Sequence, residues 1–201
     1  MRNRLSSVNQ PAIHKFSRLI CIIMVCAVVY GTVNAHASAT LSLEYKLKAV
    51  LLYNFAKFVE WPDGAFADGN TPLTIGILGE DPFGNIFEQA IKGKTVKSRK
   101  LKIKRFKQVR DVDTCHILFI SSSEEKHLTE VLEFLKDSDF LTVGEMKQFA
   151  HSGGIINFII EESKIRFEIN IDAASRTQLK ISSKLLKLAR IIRDRPPSKK
   201  D

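Results

Sequence analysis

The most restrictive feature of the sequence is the run Cys115–Ile120 (CHILFI), in which nearly every side chain is apolar. A strand with one wet face alternates apolar and polar residues, whereas a strand covered on both faces reads as a continuous apolar run. The run therefore predicts a central strand of a sheet that carries helices on both faces. Sheets of this kind are mostly parallel and belong to α/β domains.

The segments around this run alternate between strand-like and helix-like patterns. Leu73–Leu78 (LTIGIL) and Phe140–Val143 are further short apolar runs, and Leu101 and Ile103 alternate with lysines as in an edge strand. The intervening patterns predict helices over residues 44–60, from Asp81 to about Ile91, over about 124–137 and around 145–150. This alternation predicts a mostly parallel, doubly wound sheet.

The first predicted helix has a stripe of residues at three- and four-residue spacing. The residue before a proline disfavours helical geometry, so Trp61-Pro62 is expected to end this helix. The predicted stripe consists of Leu47, Val50, Leu51, Asn54, Phe55 and Phe58.

The C-terminal third has a different pattern. Ile155–Ile160 and Lys164–Asn170 flank Glu161-Glu162-Ser163 and should pair as an antiparallel hairpin. The second strand is predicted to turn Ile165, Phe167 and Ile169 to the core and Lys164, Arg166 and Glu168 to solvent. A helical end over about 185–192 should follow. The predicted fold is a single α/β domain with a mostly parallel sheet flanked by helices and a C-terminal antiparallel hairpin.

The N-terminus has the features of a secretory leader. A basic start precedes the 12-residue apolar stretch Leu19–Tyr30, and small residues follow in Ala35–Ala39. We predict a signal peptide over 1–37, cleaved after Ala37 or Ala39, although an uncleaved anchor is the alternative. The remainder divides into a short segment 38–43, the domain 44–194 and a disordered tail 195–201. A leader of this kind implies export from the cytoplasm.

A basic run with no acidic residue spans residues 92–110 and contributes to a formal net charge of +9. Outside the cytoplasm a nucleic-acid partner is largely missing, so we expect none. The run is either the solvated face of an edge strand or a patch that steers an acidic protein or an anionic membrane surface. The candidate steering residues are Lys97, Arg99, Lys100, Lys102, Lys104 and Arg105.

Sequence signatures of catalysis are absent, so we predict neither an enzyme nor a bound metal or cofactor. Cys115 and His116 are adjacent on a strand, which directs their side chains to opposite faces and prevents a dyad. After cleavage Cys115 would be the one cysteine left, and it is expected to be buried. A loop that follows a strand can bind a ligand at the carboxyl edge of the sheet or be a plain capped turn. The residues of this loop are Gly79, Glu80, Asp81 and Gly84.

The end of the first helix is rich in aromatic residues that one face cannot hide. Tyr53 and Trp61 are candidate partner contacts, because aromatic residues supply much of the energy of protein interfaces. The alternative for Trp61 is that it packs under the following loop. Arg166 and Glu168, on the predicted solvent face of the hairpin, complete the candidate contact surface.

A family resemblance covers about residues 44–192. The chain resembles the YfiR-like family of periplasmic proteins in the order of several short motifs. They are Leu52–Pro62 after a leader, Ile75–Gly79 with Asp81–Gly84, Cys115–Ser121, Leu141–Gly144, Gly153-Gly154 to Asn157-Phe158, Phe167–Asn170 and Ser182–Ala189.

The resemblance implies a regulator rather than an enzyme. It implies repression of an inner-membrane diguanylate cyclase through its periplasmic domain, relief of that repression by an outer-membrane lipoprotein, and the capacity to form homodimers. A sensor kinase is an alternative target. The founding type of this family is stabilised by disulfides. The predicted mature chain has Cys115 alone, so redox control through intramolecular disulfides is not expected for it. The alternative function is a periplasmic small-ligand sensor or carrier that works with a sensor kinase or a transport system.

Overall fold

The computed structural model describes residues 41–194. The chain divides into the units Met1–Leu43 and Glu44–Asp201, and the elements below belong to the second unit, apart from the first three residues of the first helix. The predicted signal peptide 1–37 and the predicted tail 195–201 lie outside the described residues. Within residues 41–194 we find no helix that is both long enough and apolar enough to cross a membrane.

A mixed sheet of eight strands forms the centre of the domain. The strands are β2 (Leu73–Leu78), β3 (Thr95–Val96), β4 (Arg99–Phe106), β5 (Ile117–Ile120), β6 (Leu141–Gly144), β7 (Ile156–Glu161), β8 (Lys164–Asn170) and β10 (Arg190–Ile192). Their order across the sheet is β10-β8-β7-β6-β5-β2-β4-β3. Neighbouring strands are parallel except in the pairs β7–β8 and β3–β4. The predicted α/β class, with its mostly parallel sheet and hairpin, is confirmed.

Helices and a small second sheet surround this centre. The short strand β1 (Val59–Glu60) follows the first helix and pairs antiparallel with β9 (Lys180–Ile181). Single 3-10 turns lie at Asp63–Ala65, Val109–Asp111 and Ala150–Ser152, and a longer 3-10 segment at Ser122–His127 leads into the third helix. The helices are α1 (41–58), α2 (Ile86–Ile91), α3 (Leu128–Leu135), α4 (Ile171–Ser175) and α5 (Ser183–Leu186).

The two faces of the sheet carry separate hydrophobic clusters, and strand β5 contributes to both. Ile117 and Phe119 belong to the cluster that includes buried residues of α1 and α2. Leu118 and Ile120 belong to the cluster that includes buried residues of α3. Alternate side chains of a strand point to opposite faces, so covering both faces requires an apolar residue at every position of β5.

Helix α1 forms where predicted, but only part of the predicted stripe is buried. Leu47 and Val50 are exposed, Leu51 and Phe58 are partly buried, and the buried positions are Lys48, Ala49, Leu52, Phe55 and Ala56. Lys48 occupies a buried position on this helix, where two carboxylates hold its ammonium group. The periodicity of α1 was predictable, whereas the face that is buried depends on how the helix packs against the rest of the domain.

The predicted C-terminal helix is largely wrong. Helix α5 ends at Leu186, and Arg190–Ile192 forms β10, which pairs in parallel with β8. The outer edge of β8 offers backbone hydrogen bonds to this segment, and such tertiary pairing overrides weak helix periodicity. Leu188, which the helical stripe would have buried, is exposed.

Two other predicted helices are shorter than expected. The region 145–150 contains only the start of the 3-10 turn at Ala150–Ser152. Helix α2 begins at Ile86 rather than at Asp81, whose carboxylate instead caps the preceding turn.

Candidate functional site

Trp61, predicted as a partner contact, lies partly buried in a cluster of rings. Its indole Nε1–H donates a hydrogen bond to the backbone C=O of His116, with an N–O distance of 3.2 Å. The His116 ring stacks on Phe66, with centroids 4.3 Å apart, and the guanidinium carbon of Arg99 lies 3.9 Å from the centroid of Phe66. This arrangement fixes the loop after β1 against β5. It agrees with the alternative in which Trp61 packs under that loop.

Both ring nitrogens of His116 are occupied by backbone groups. Nδ1 lies 3.1 Å from the backbone N of Thr74, and Nε2 lies 3.0 Å from the carbonyl oxygen of Ala65. Burial lowers the pKa of His116, and the nearby charge of Arg99 lowers it further. His116 is thus held neutral and connects β5, β2 and the loop.

Tyr53, the second predicted aromatic contact, lies half-buried on α1. Its hydroxyl donates a hydrogen bond of 3.3 Å to the backbone C=O of Thr95, the first residue of β3. The ammonium groups of Lys94 and Lys57 lie 4.7 and 5.5 Å from the centroid of its ring. Tyr53 therefore forms part of a basic surface that faces solvent.

The predicted hairpin surface is only partly present. Arg166 is exposed, but Glu168 is buried, so the expectation of a solvent-facing Glu168 is wrong. One carboxylate oxygen of Glu168 lies 3.3 Å from a guanidinium nitrogen of Arg190, and the other accepts from the Asn157 amide at 3.4 Å. Strand β10, which was not predicted, brings Arg190 beside Glu168 and covers it.

The loop after β2 is closely packed against the segment after β5. Gly79 has a φ of +87°, and a Cβ there would lie 2.3 Å from the hydroxyl oxygen of Ser123. The same hydroxyl accepts a hydrogen bond of 3.0 Å from the backbone N–H of Glu80. Only glycine fits position 79.

The remainder of this loop satisfies its own backbone donors. One carboxylate oxygen of Asp81 accepts from the N–H groups of Phe83 and Gly84, at 2.8 and 3.3 Å. The other accepts from Nε of Arg105 at 2.7 Å. These bonds are those of a capped turn. The N–H groups of Glu80, Phe83 and Gly84 are thus all engaged within the protein.

The six predicted steering residues differ in their environments. Arg99 donates to the carbonyl oxygens of Asp68 and Thr71. Arg105 holds Asp81 and Glu88, while Lys104 pairs with Asp113 at 2.7 Å and Lys97 lies 4.0 Å from Glu60. Lys100 and Lys102 are exposed and make no ion pair with another described residue.

A buried charge cluster, which sequence reasoning missed, connects α1 to the end of β6. The side chain of Lys48 is 5% exposed and pairs with Glu44 and, at 2.6 Å, with Glu145. The hydroxyl of Tyr45 donates to Glu145 at 3.2 Å, and burial together with this carboxylate raises the pKa of Tyr45. A lysine within a helical pattern is normally solvated, so the sequence carries no signal for this cluster.

A cavity of about 580 Å³ lies beside this cluster at the carboxyl ends of β5 and β6. Ligands of open α/β sheets bind at such ends of the strands. Asn157 lines the cavity and is 2% exposed, and its side-chain oxygen has no hydrogen-bond partner among the described residues. Within residues 41–194 no cluster of three or more His, Cys, Asp or Glu side chains could hold a metal ion.

The fold and these sites define a mixed α/β domain with a basic edge and a partly polar cavity. The sequence profile of the YfiR/HmsC-like family matches residues 45–190, and the chain belongs to this family. The predicted family assignment is confirmed. A search of curated proteins gave no match.

The solved structures that are similar to the chain include the following two. One is the ABC domain in complex with L-Trp from Streptococcus pneumonia, with 12% identity, a TM-score of 0.45 and 59% of this chain and 55% of that chain covered. The other is a conserved domain protein from Vibrio cholerae O1 biovar eltor, with 11% identity, a TM-score of 0.46 and 59% of this chain and 54% of that chain covered. The chain thus spans about half the length of these two structures.

Proposed function

We propose that the protein is a periplasmic regulator that represses an inner-membrane signalling enzyme by binding its periplasmic domain. The favoured target is a diguanylate cyclase, so that the output is the cellular level of cyclic-di-GMP; a sensor kinase is the alternative. An outer-membrane lipoprotein would relieve the repression, and the regulator would form a homodimer. The observation that carries the proposal is the family match over residues 45–190.

The arrangement of side chains supports a binding role. His116, the buried histidine, has both ring nitrogens bound to backbone groups and is therefore not free for acid–base catalysis. The ring of Tyr53 lies beside the ammonium groups of Lys57 and Lys94, and aromatic residues are enriched at protein interfaces. We propose Tyr53 and Arg166 as contact residues, with Trp61 and Glu168 acting by supporting the surface.

The basic residues of β4 support recognition of an acidic partner. Lys100 and Lys102 are exposed, and charges outside the centre of an interface mainly accelerate association. We therefore propose that they steer the regulator towards an acidic periplasmic domain.

Deletion of the gene tests the proposal. We expect cyclic-di-GMP to rise in the deletion strain and to return to its original level when the full chain is supplied. A chain lacking residues 1–37 should fail to restore it, because that chain would remain in the cytoplasm. The protein recovered from the envelope should begin at Ser38 or Thr40 by mass spectrometry.

Direct binding provides the second half of this test. The purified periplasmic domains of the cell's diguanylate cyclases and sensor kinases should include one that binds the regulator. Unchanged cyclic-di-GMP after deletion, together with no binding to any cyclase domain, would exclude the cyclase as the target. Binding to a kinase domain would then select the alternative.

Ligand sensing is a second candidate function, and Asn157 is the observation that favours it. Its amide nitrogen faces the carboxylate of Glu168, which accepts hydrogen bonds when ionised. The amide oxygen is therefore the atom left without a partner, and leaving a buried acceptor unpaired costs free energy. A small molecule that donates a hydrogen bond would satisfy it.

Native mass spectrometry of the envelope protein tests this second function. A bound small molecule should be present in the wild-type protein and lost in Asn157→Leu, which has no acceptor. The matched control is Gln148→Leu, which makes the same amide-to-leucine change at an exposed position on the rim of the cavity. Equal loss in both variants, or no bound mass in either, would contradict ligand sensing at Asn157.

A further inference from the structure

The outer edge of strand β4 is open along most of its length. β4 pairs with β2 from Leu101 to Phe106 on its inner side. On its outer side it pairs with β3 only at Arg99 and Lys100. Among the described residues, no strand covers the outer side of residues 101–106.

The hydrogen bonds of β4 show which of its backbone groups face outwards. The C=O of Phe106 accepts from the N–H of Gly79 at the end of β2, so the even-numbered residues of β4 face β2. The hairpin to β3 agrees with this direction. Its two-residue turn, Lys97–Ser98, has positive φ at both residues and places Arg99 opposite Val96 as a hydrogen-bonded pair.

Odd-numbered residues therefore direct their backbone N–H and C=O groups away from β2. At Leu101, Ile103 and Arg105 these groups lie beyond the end of the pairing with β3. An exposed row of this kind can accept another strand, because the added chain supplies the missing hydrogen bonds.

A groove of about 670 Å³ lies along this edge. Leu101 and Ile103 of β4 and Ile91 of α2 contribute apolar side chains. The charged residues that also line it are Lys92, Lys94, Lys100 and Glu88, of which Glu88 is paired with Arg105. A strand added to β4 would point every second side chain to this face of the sheet, where apolar side chains would contact Leu101 and Ile103.

The even-numbered residues of β4, which alternate with Leu101 and Ile103, are lysines over positions 100–104. Lys100 and Lys102 are exposed and make no ion pair with another described residue, whereas Lys104 is held by Asp113. The intervening side chains of an added strand would lie beside these lysines, and oppositely charged cross-strand pairs stabilise a sheet. Acidic residues fit these positions.

The same charges argue against a second copy of the chain on this edge. Pairing β4 with β4 of another copy would bring two lysine-rich strands together, and like charges across a sheet are destabilising. Edge lysines protect proteins against such self-association. They leave the edge accessible to a strand of opposite charge.

We propose that the β4 edge binds an extended segment of the partner in which apolar and acidic residues alternate. The segment adds a strand to the sheet, with its apolar side chains in the groove and its acidic side chains beside Lys100 and Lys102. The inference rests on the proposed function only for the identity of the protein that carries the segment.

A synthetic peptide tests this surface. The probe is an eight-residue peptide with blocked ends in which valine and glutamate alternate, and the control has the same composition as four valines followed by four glutamates. Hydrogen exchange of the envelope-purified protein is measured by NMR with each peptide. We expect the alternating peptide to protect the outward amides of Ile103 and Arg105 and to leave those of Lys102 and Lys104, already bonded to β2, unchanged.

Charge reversal tests the acidic side of the segment. Lys100→Glu combined with Lys102→Glu should weaken binding of the alternating peptide about tenfold, because two attractive pairs become repulsive. The matched control is Lys126→Glu combined with Lys187→Glu, which makes the same charge change at exposed positions outside β4 and should bind within about twofold of wild type. Thermal unfolding checks that both variants are folded.

Each outcome decides the proposal. The proposal would be overturned if the alternating peptide did not bind, or if the block peptide bound equally well. It would also be overturned if the amides of Lys102 and Lys104 were protected as strongly as those of Ile103 and Arg105. Equal weakening of binding by the two double charge variants would overturn it as well. Binding of phosphatidylglycerol vesicles that depends on Lys100 and Lys102, with no peptide binding, would instead assign the edge to a lipid surface. If gene deletion raises cyclic-di-GMP but the peptide does not bind, the binding site at the β4 edge is rejected and the regulatory function stands. If the peptide binds but gene deletion leaves cyclic-di-GMP unchanged, the regulatory function is rejected and the binding site stands.

Discussion

The Nδ1 atom of His116 accepts a hydrogen bond from the backbone N–H of Thr74 at 3.1 Å. A backbone amide can only donate, so Nδ1 carries no proton in this arrangement. Nε2 then carries the proton and donates to the carbonyl oxygen of Ala65 at 3.0 Å. Both the neutral state and the tautomer of His116 follow from these two contacts.

This geometry predicts that acid destabilises the fold through His116. The folded-state pKa lies below the ordinary value of about 6.5, so the unfolded chain binds the proton more readily. The stabilisation is complete above about pH 6.5 and is lost as the pH falls from there towards the folded-state pKa. Urea unfolding at pH 7.5 and at pH 5.5 should show a lower free energy of unfolding at pH 5.5.

Substitution of His116 separates this effect from general acid denaturation. His116→Leu should cost about 1–3 kcal/mol at pH 7.5, because it leaves buried backbone groups unpaired, and should reduce the difference between the two pH values. The exposed His127→Leu is the matched control and should retain the full difference. An unaltered pH dependence in His116→Leu would contradict the assignment.

Trp61 and Tyr53 should respond differently to truncation. Trp61→Phe removes the hydrogen bond to His116 and should cost about 1 kcal/mol of unfolding free energy, while Trp61→Ala should cost about 2–3 kcal/mol. Tyr53→Ala should leave the protein folded and reduce repression, because its ring lies in the basic surface. Thermal unfolding and cyclic-di-GMP are measured for the same variants.

The conservative variant Tyr53→Phe is the control for the aromatic surface. It keeps the ring beside Lys57 and Lys94 and loses only the hydrogen bond to Thr95, so it should repress nearly as well as wild type. Normal repression by a folded Tyr53→Ala would exclude Tyr53 from the interface.

The buried pair Lys48–Glu145 should be strongly coupled. Lys48→Met leaves the carboxylate of Glu145 buried without its cation, and Glu145→Gln leaves the ammonium with Glu44 alone. Removing one partner of a buried pair costs about 3–5 kcal/mol, whereas replacing both often costs little. The double variant should therefore be more stable than the sum of the single effects predicts, as measured by urea unfolding. Strict additivity would show that the two charges do not interact.

Cys115 should be unreactive in the folded protein. Burial, reinforced by the charge of Asp113, raises the pKa of its thiol to about 12, so the reactive thiolate is scarce at pH 8. Peptide mass spectrometry after treatment with iodoacetamide should find Cys115 unmodified in native protein and modified in urea. Rapid labelling under native conditions would contradict this placement.

The central part of the sheet was predictable because a strand that is buried on both faces has a continuous apolar run in its own sequence. Leu73–Leu78, Cys115–Ile120 and the hairpin of Ile155–Ile160 with Lys164–Asn170 were found as strands or parts of strands from their apolar runs and alternation. The prediction of a C-terminal helix was wrong at Arg190–Ile192, because the strand that forms there depends on pairing with the edge of β8 rather than on its own sequence pattern.

The candidate site was less predictable than the fold. Tyr53 and Arg166 face solvent at least in part, but Glu168 is covered by β10 and Trp61 is held by His116. The cavity residue Asn157 and the buried Lys48 carry no local signal, because a polar residue in a strand or helix is normally solvated. Their roles follow from side chains that are distant in the sequence.

The sequence by itself determined the family, the α/β class and the positions of the central strands, because these depend on local pattern and on the order of short motifs. Tertiary structure alone decided which face of α1 is buried, which charges are paired and which backbone edge of β4 is open. It also required glycine at position 79, where a Cβ would lie 2.3 Å from the hydroxyl oxygen of Ser123. Each of these depends on a contact between segments far apart in the chain, and no local pattern encodes the distance between them.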